Sequence, residues 1–96
     1  MIAVTQNERE EIRAIFARFL PSAKIRVFGS RAGGQNRPAS DLDLAARDQT
    51  PIPKETLSRI KDAFETSGLP YSVDVIDYAR ASDSFQKIID KTGLDL

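Results

Sequence analysis

The stretch that decides the fold is "VFGSRAGGQNRPASDLDLA", residues 27–45. It joins the end of one apolar run to the start of another through a polar, glycine-containing segment. Asp41 and Asp43 lie two residues apart in the second run, so on a β-strand their side chains leave the same face. Leu42 and Leu44 then leave the opposite face, toward a core. Because two carboxylates this close repel each other unless water or a cation screens them, the pattern predicts a functional surface on one face of a sheet.

Helical and strand patterns alternate on both sides of that stretch. A capping box formed by Thr5 and Glu8 begins the first helix. Three short apolar runs, "KIRVFG", "SDLDLAA" and "YSVDVIDY", predict strands. Two further helices follow the second and third strands, and Gly68 and Gly93 are expected to end them. This order predicts one domain over residues 1–96 of the α+β class, a small mixed β-sheet with helices on one face and the other face partly open.

Composition narrows the chemistry that the chain can perform. Its 14 basic and 14 acidic residues balance, which argues against strong binding to nucleic acid, so no direct nucleic-acid partner is expected. Cysteine and histidine are absent, which removes thiol nucleophiles, the usual zinc ligands and the commonest general base. The sequence has neither the pattern of a signal peptide nor an apolar run long enough to span a bilayer. A cytoplasmic protein without a membrane partner is therefore expected.

A third carboxylate joins the pair if the third strand lies beside theirs. Asp74 would then share a face with Asp41 and Asp43. Oxygen ligands without histidine or cysteine suit Mg²⁺, with two ions expected and Mn²⁺ as the alternative metal. Because Mg²⁺ often completes its shell with phosphate oxygens, the substrate is expected to carry phosphates. Asp77 competes for the same role, but it has the opposite strand parity, and a cap or turn is its more ordinary use.

The Gly-Ser pair supplies the complementary half of the predicted site. Gly29 ends a strand where a ligand can approach the backbone, because no Cβ intervenes. Ser30 would open a helical turn whose free N–H groups and hydroxyl bind an anion. Arg31 or Arg37 could reach a terminal phosphate, although solvated loop arginines would give the same sequence. With two metals on the aspartates, the reaction that fits is in-line attack on the α-phosphate of a nucleoside triphosphate, with pyrophosphate leaving.

The segment "GSRAGGQNRPASDLDL" resembles the Gly-Ser…Asp-x-Asp signature of the DNA polymerase beta-like nucleotidyltransferases. More narrowly, the chain resembles the minimal nucleotidyltransferase domains, whose length and element order match nearly all of it. The resemblance implies the polymerase beta-like fold, with Gly29 and Ser30 binding the triphosphate. It also implies that the paired aspartates bind metal and that Asp74, in "VDVID", completes the triad. Members often have a further basic residue where this chain has Gly33, so the core signature is present without that cation.

The resemblance also implies a biological role. Minimal nucleotidyltransferases are commonly antitoxins of two-gene modules whose partner is a HEPN-domain toxin, and characterised members transfer AMP from ATP to that toxin. The expected activity is Mg²⁺-dependent AMP transfer to a partner hydroxyl, with tyrosine as the expected acceptor. Two alternatives stay open. One is a non-catalytic antitoxin that occludes its toxin through apolar residues of the last helix, such as Phe85 or Ile89. The other is an enzyme that modifies a small molecule, whose relatives resemble longer chains.

Overall fold

The computed structural model describes residues 4–29, 31–32 and 41–96. Within these ranges the chain forms helices and strands in the predicted order, followed by one further short strand. No helix of this part of the chain is long and apolar enough to cross a membrane. The elements are α1 (Gln6–Phe19), β1 (Lys24–Phe28), β2 (Leu42–Arg47), α2 (Lys54–Glu65), β3 (Val73–Asp77), a 3₁₀ turn (Tyr78–Arg80), α3 (Asp83–Thr92) and β4 (Leu94–Asp95).

The strands form one mixed sheet in the order β3-β2-β1-β4. β1 is antiparallel to β2 and to β4, whereas β2 and β3 are parallel and are connected through α2. The C-terminal end of β1 therefore lies beside the N-terminal ends of β2 and β3. The register places Asp43 between Phe28 on β1 and Asp74 on β3. The predicted α+β class with a small mixed sheet is confirmed.

One face of the sheet and the first two helices enclose the core. The predicted alternation along the strands is confirmed, because Val27, Leu42, Leu44 and Val75 are all buried on this face. The rings of α1 and α2 meet across the core at a centroid distance of 5.6 Å, between Phe16 and Phe64. Burial of these apolar side chains is the main favourable term in folding. The other buried residues of the helices in this cluster are Ile12, Ile15 and Ile60.

The third helix lies on the opposite face of the sheet. Phe85 of α3 packs edge-on against Phe28, with ring centroids 5.5 Å apart and planes at 86°. Ile89 is fully buried, and Ala45, on the same side of the sheet as Phe28, is also buried. The expectation that the helices share one face thus holds for α1 and α2 but not for α3. An amphipathic pattern shows that a helix buries one stripe, but it does not show which face of a sheet receives that stripe.

Local capping signals in the sequence are realised at both outer helices. The Thr5 hydroxyl accepts a hydrogen bond from the Glu8 N–H at 3.1 Å, and the Thr5 N–H donates to Glu8 Oε1 at 2.9 Å. The Ser82 hydroxyl accepts from the Phe85 N–H at 3.2 Å and begins α3. Gly93 is the C-terminal cap of that helix. These contacts satisfy backbone groups that a helix end leaves unpaired.

The predicted end of α2 at Gly68 is wrong by a few residues. The helix ends at Glu65, and the Thr66 hydroxyl donates to the Asp62 carbonyl at 3.3 Å. This side chain satisfies a carbonyl of the last turn, so no glycine is required there. Gly68 instead donates its N–H to Glu11 Oε1 at 2.9 Å, which links the loop after α2 to α1.

Asp77 has a structural role, as its strand parity predicts. Its side chain is buried and accepts hydrogen bonds from the N–H of Ile52 at 2.8 Å and of Ala79 at 3.1 Å. It also forms an ion pair with Arg80 Nη1 at 3.1 Å. The carboxylate therefore connects the loop before α2 to the end of β3. It points to the side of the sheet opposite Asp74.

Replacing Asp77 with alanine is expected to lower the free energy of unfolding by about 2–3 kcal/mol, because the buried Ile52 N–H loses its acceptor. Urea unfolding at neutral pH measures this change. Asp48→Ala is the matched control, because that carboxylate accepts only from the exposed N–H of Gln49 among the contacts described, and a change within about 0.5 kcal/mol is expected. Equal losses in the two variants would contradict the role of Asp77.

Candidate active site

Three separate segments of the chain meet at one end of the strands, where β1 ends and β2 and β3 begin. Gly29 follows β1, Asp41 and Asp43 lie at the start of β2, and Asp74 lies near the start of β3. Asp43 and Asp74 are direct partners in the parallel register, so their side chains leave the same face side by side. The structure thus brings together Gly29, Asp43 and Asp74, which the sequence pattern had selected from distant positions.

Gly29 permits a close approach between the turn and Asp43. Its φ of +76° lies in the left-handed region, and no residue other than glycine has a positive φ in the described ranges. A Cβ on Gly29 would overlap Oδ2 of Asp43 and lie 3.3 Å from its Cγ. The sequence predicted a close approach of a ligand to this backbone. In the structure, it is a carboxylate of the candidate site that occupies the space beside it.

The site carries an excess of negative charge. Burial raises the pKa of the half-buried Asp43 carboxyl above its ordinary value, and the nearby charges of Asp74 and Asp41 raise it further. Asp41 and Asp74 are exposed. Among the described residues, the influences on the Asp43 pKa are burial and the charges of Asp74 and Asp41, and all of them raise it. A positively charged ligand would relieve this repulsion.

The donor set fits a hard divalent cation by its chemistry. All three candidate ligands are carboxylates, which Mg²⁺ prefers, and a bound divalent cation would offset their mutual repulsion. The placement is looser than a formed site. Across residues 4–29, 31–32 and 41–96, no three acidic side chains are grouped closely enough to hold an ion as they stand. The metal-binding role of Asp41, Asp43 and Asp74 stays a prediction.

The predicted phosphate-binding residues have different outcomes. Ser30 and Arg37 lie outside the described residues. Arg31 is described and is 5% exposed, with its guanidinium 3.9 Å from the centroid of the Tyr71 ring. Arg31 is therefore not a solvated loop arginine. Whether it contacts phosphate stays a prediction, but its guanidinium is already packed against an aromatic ring.

The sequence did not predict that Arg31 contacts Tyr71 or that Tyr71 in turn contacts Glu8. The Tyr71 hydroxyl donates to Glu8 Oε1 at 3.1 Å, across a separation of 63 residues in the chain. Burial and, after it, the Glu8 carboxylate together raise the Tyr71 pKa to about 12. No local signal could have found this pair, since the only pattern at Glu8 is that of a helix cap.

An open pocket lies beside the candidate site. Its volume is about 520 Å³, and Asp41 lines it together with Phe64, Leu69, Pro70 and Tyr71. This volume is in the range of small-molecule sites. Gly29, Asp43 and Asp74 do not line the pocket, so it adjoins the candidate site only through Asp41.

The chain matches the polymerase beta nucleotidyltransferase family over residues 10–96. A Haemophilus influenzae protein named "Probable protein adenylyltransferase MntA" is 35% identical over 88 residues, which cover 92% of this chain and 77% of that protein. A solved structure described as a minimal nucleotidyltransferase aligns with a TM-score of 0.76 and 28% identity, covering 95% of this chain and 91% of the other. A toxin–antitoxin structure with AMP-PNP aligns with a TM-score of 0.77 and 22% identity, covering 90% and 69%. The resemblance inferred from the sequence is confirmed, and the chain belongs to the polymerase beta nucleotidyltransferase family of enzymes.

Proposed function

We propose that this protein transfers AMP from ATP to a hydroxyl of a partner toxin and thereby acts as the antitoxin of a two-gene module. The similarity to a protein described as an adenylyltransferase supports AMP as the transferred group. The likeness of the fold to a toxin–antitoxin structure agrees with a toxin as partner, and a HEPN-domain toxin is the partner that the family resemblance implies. The observation that carries the proposal is the pairing of Asp43 with Asp74 beside the Gly29 turn. A cytoplasmic location remains a prediction from the sequence.

Each side chain of the site receives a role in this proposal. Asp41, Asp43 and Asp74 would hold two Mg²⁺ ions, or Mn²⁺ in their place, and Gly29 and Ser30 would bind the triphosphate. Bound Mg²⁺ supplies positive charge that neutralises phosphate oxygens. Gly29 contributes by letting the Asp43 carboxylate lie directly against the backbone, because a Cβ at this position would overlap it.

The transfer balances without any further reactant. The oxygen of the acceptor hydroxyl forms a bond to the α-phosphorus of ATP, the bond from that phosphorus to the bridging oxygen breaks, and pyrophosphate leaves. Asp74 would accept the proton of the hydroxyl, because the chain has no histidine and this carboxylate is exposed next to Asp43.

The direct test is AMP transfer to the product of the neighbouring gene. With labelled ATP and Mg²⁺, the wild-type protein is expected to label that product, and Asp74→Asn is expected not to. Asp77→Asn is the matched control from the same strand and opposite parity, and it is expected to retain labelling at a temperature where it is folded. Wild-type labelling that Asp74→Asn leaves unchanged would contradict the assigned role of Asp74.

A second candidate function is neutralisation of the toxin by occlusion. Ile88 on α3 is 53% exposed and Leu94 on β4 is 38% exposed, the exposed large apolar side chains of the described ranges. Of the residues suggested from the sequence, Ile89 is wrong for this role because it is fully buried. Phe85 packs on Phe28 and is half-buried, so part of its side chain stays accessible. Helical spacing placed Phe85, Ile88 and Ile89 on one stripe but did not separate its inner side from its outer side.

Complex formation without nucleotide separates the two functions. If occlusion is sufficient, the Asp41→Asn/Asp43→Asn variant neutralises the toxin without ATP, and Ile88→Asp weakens the complex. If AMP transfer is required, the double aspartate variant still binds the toxin in a pull-down but leaves it active. Toxin activity in the presence and absence of ATP is the deciding measurement.

A further inference from the structure

Three side chains from separate segments stack behind the turn that follows β1. Arg31 lies over the Tyr71 ring at 3.9 Å, and the Tyr71 hydroxyl donates to Glu8 Oε1 at 3.1 Å. Arg31 belongs to the turn, Tyr71 to the loop before β3, and Glu8 to the first turn of α1. We call these three residues the anchor cluster. Tyr71 and Glu8 have no role in the transfer reaction proposed above. For Arg31, contact with phosphate stays a prediction from the sequence.

Each end of the anchor cluster is fixed to the fold. Glu8 Oε1 also accepts from the Thr5 N–H at 2.9 Å, so the capping box holds this carboxylate in place. The Tyr71 phenol is protonated at neutral pH and donates its proton to Glu8, and burial and the Glu8 carboxylate raise its pKa from 10.0 to about 12. The stabilisation associated with this shift is complete below pH 10 and is lost as the pH rises through about 12.

The other end of the cluster is continuous with the candidate active site. Arg31 lies two residues after Gly29, and the Ala32 N–H donates to the Gly29 carbonyl at 3.2 Å. Arg31 and Ala32 are each 5% exposed. Because the turn is short and closed by this hydrogen bond, fixing the Arg31 side chain also restricts the backbone at Gly29.

The contact between Arg31 and Tyr71 depends on the planar shape of the guanidinium group. A planar cation stacks on an aromatic face, whereas the ammonium group of lysine carries the same charge without the plane. An arginine kept for phosphate charge alone would be replaceable by lysine and indifferent to the ring beneath it. An arginine kept for stacking would be sensitive to both changes.

We propose that Arg31, Tyr71 and Glu8 are positioning residues that hold the backbone of Gly29 and Ala32 in the arrangement that binds the triphosphate. This inference rests on the proposed function and adds to it the part of the fold that shapes the nucleotide site. Arg31 acts through its contact with Tyr71, and Tyr71 acts through its contact with Glu8.

Steady-state kinetics and ATP binding of Arg31→Lys, Tyr71→Leu and the double variant test the proposal. Each single change is expected to raise the KM for ATP and the Kd for AMP-PNP about ten-fold, with kcat changed less. The double variant is expected to be no worse than the weaker-binding single variant, because both changes break one contact. Tyr71→Phe keeps the ring under Arg31 but loses the hydrogen bond to Glu8, so its affinity is expected to lie between those of the wild type and Tyr71→Leu.

A second arginine–tyrosine–carboxylate set in the same chain provides the matched control. Arg47 lies over the Tyr78 ring at 4.8 Å, and the Tyr78 hydroxyl donates to Asp90 at 2.9 Å. Arg47 is the last residue of β2, and Asp43 lies near the opposite end of that strand. Arg47→Lys and Tyr78→Leu are expected to leave the KM for ATP unchanged.

The outcomes separate this inference from the proposed function. Wild-type protein that binds no ATP would overturn both. Wild-type binding that is unaffected by Arg31→Lys and Tyr71→Leu would overturn the inference alone. Additive losses in the double variant would also overturn it, because they would show that Arg31 and Tyr71 act on the nucleotide separately.

Discussion

Replacing Asp43 with asparagine is expected to reduce AMP transfer by about 10³-fold or more. Asp43 lies between Phe28 and Asp74 in the sheet and closest to the Gly29 turn, so it is the carboxylate that both halves of the proposed site share. The amide keeps the shape of the side chain and removes the charge that a divalent cation needs, and charge stabilisation at a transferring phosphoryl group is worth several kcal/mol. Initial rates of labelled AMP transfer at saturating ATP measure the loss.

The same substitution is expected to raise the melting temperature of the metal-free protein. The raised pKa of Asp43 means that its ionised form, present at neutral pH, is disfavoured by burial and by the charges of Asp74 and Asp41. An amide removes this repulsion. Added Mg²⁺ and ATP are expected to stabilise the wild type but not the variant, because only the wild type binds them in the folded state.

Two comparisons complete this experiment. Asp48→Asn makes the same chemical change at the other end of β2 and is expected to alter neither the rate nor the response to Mg²⁺. A metal-free Asp43→Asn protein that melts below the wild type would show that the carboxylate makes a favourable contact, which would contradict the electrostatic reading of the site.

Gly29→Ala is expected to cause the largest combined loss of stability and activity. The positive φ disfavours any residue with a Cβ by about 1–2 kcal/mol. The new methyl would also overlap the Asp43 carboxylate, so the total cost in the free energy of unfolding is expected to be about 2–4 kcal/mol. The overlap would displace the backbone at position 29 or the Asp43 carboxylate, and either displacement is expected to lower the transfer rate by about 100-fold in the protein that remains folded. Urea unfolding and transfer rates below the melting transition measure the two effects.

The chain offers a matched glycine and a way to separate the two causes. Gly68→Ala is expected to be tolerated, because a Cβ there would meet only the Glu11 carboxylate at 3.8 Å and 3.9 Å. Gly29→Asn accepts the left-handed conformation more readily than alanine but still adds a Cβ. If Gly29→Asn is as active as the wild type, contact with Asp43 is not what requires glycine at this position.

The parts of the fold that the sequence predicted are those set by local periodicity. Leu42 and Asp43 leave opposite faces because strand side chains alternate, and that rule needs no knowledge of the neighbouring strands. The cap at Thr5 likewise depends on a residue three positions away. Placing Asp74 beside Asp43 required one further step, the parallel pairing that a strand–helix–strand order favours.

The parts that escaped prediction depend on contacts between distant segments. The link from Tyr71 to Glu8 spans 63 residues, and neither residue carries a pattern that names the other. Helical spacing could not decide whether Ile88 or Ile89 faces outward, because that depends on Phe28 receiving α3 on its side of the sheet. β4 is two residues long, too short for alternation to be visible.

The parallel pairing of β2 with β3 has a consequence for when the enzyme can first work. The helix α2 separates these strands in the chain, so Asp74 is synthesised well after Asp43 and joins it only when the crossover is complete. A nascent chain of which only β1 and β2 have emerged from the ribosome therefore carries Gly29, Asp41 and Asp43 but lacks Asp74. With the role proposed here for Asp74, AMP transfer is expected to begin only after β3 has left the ribosome and paired with β2.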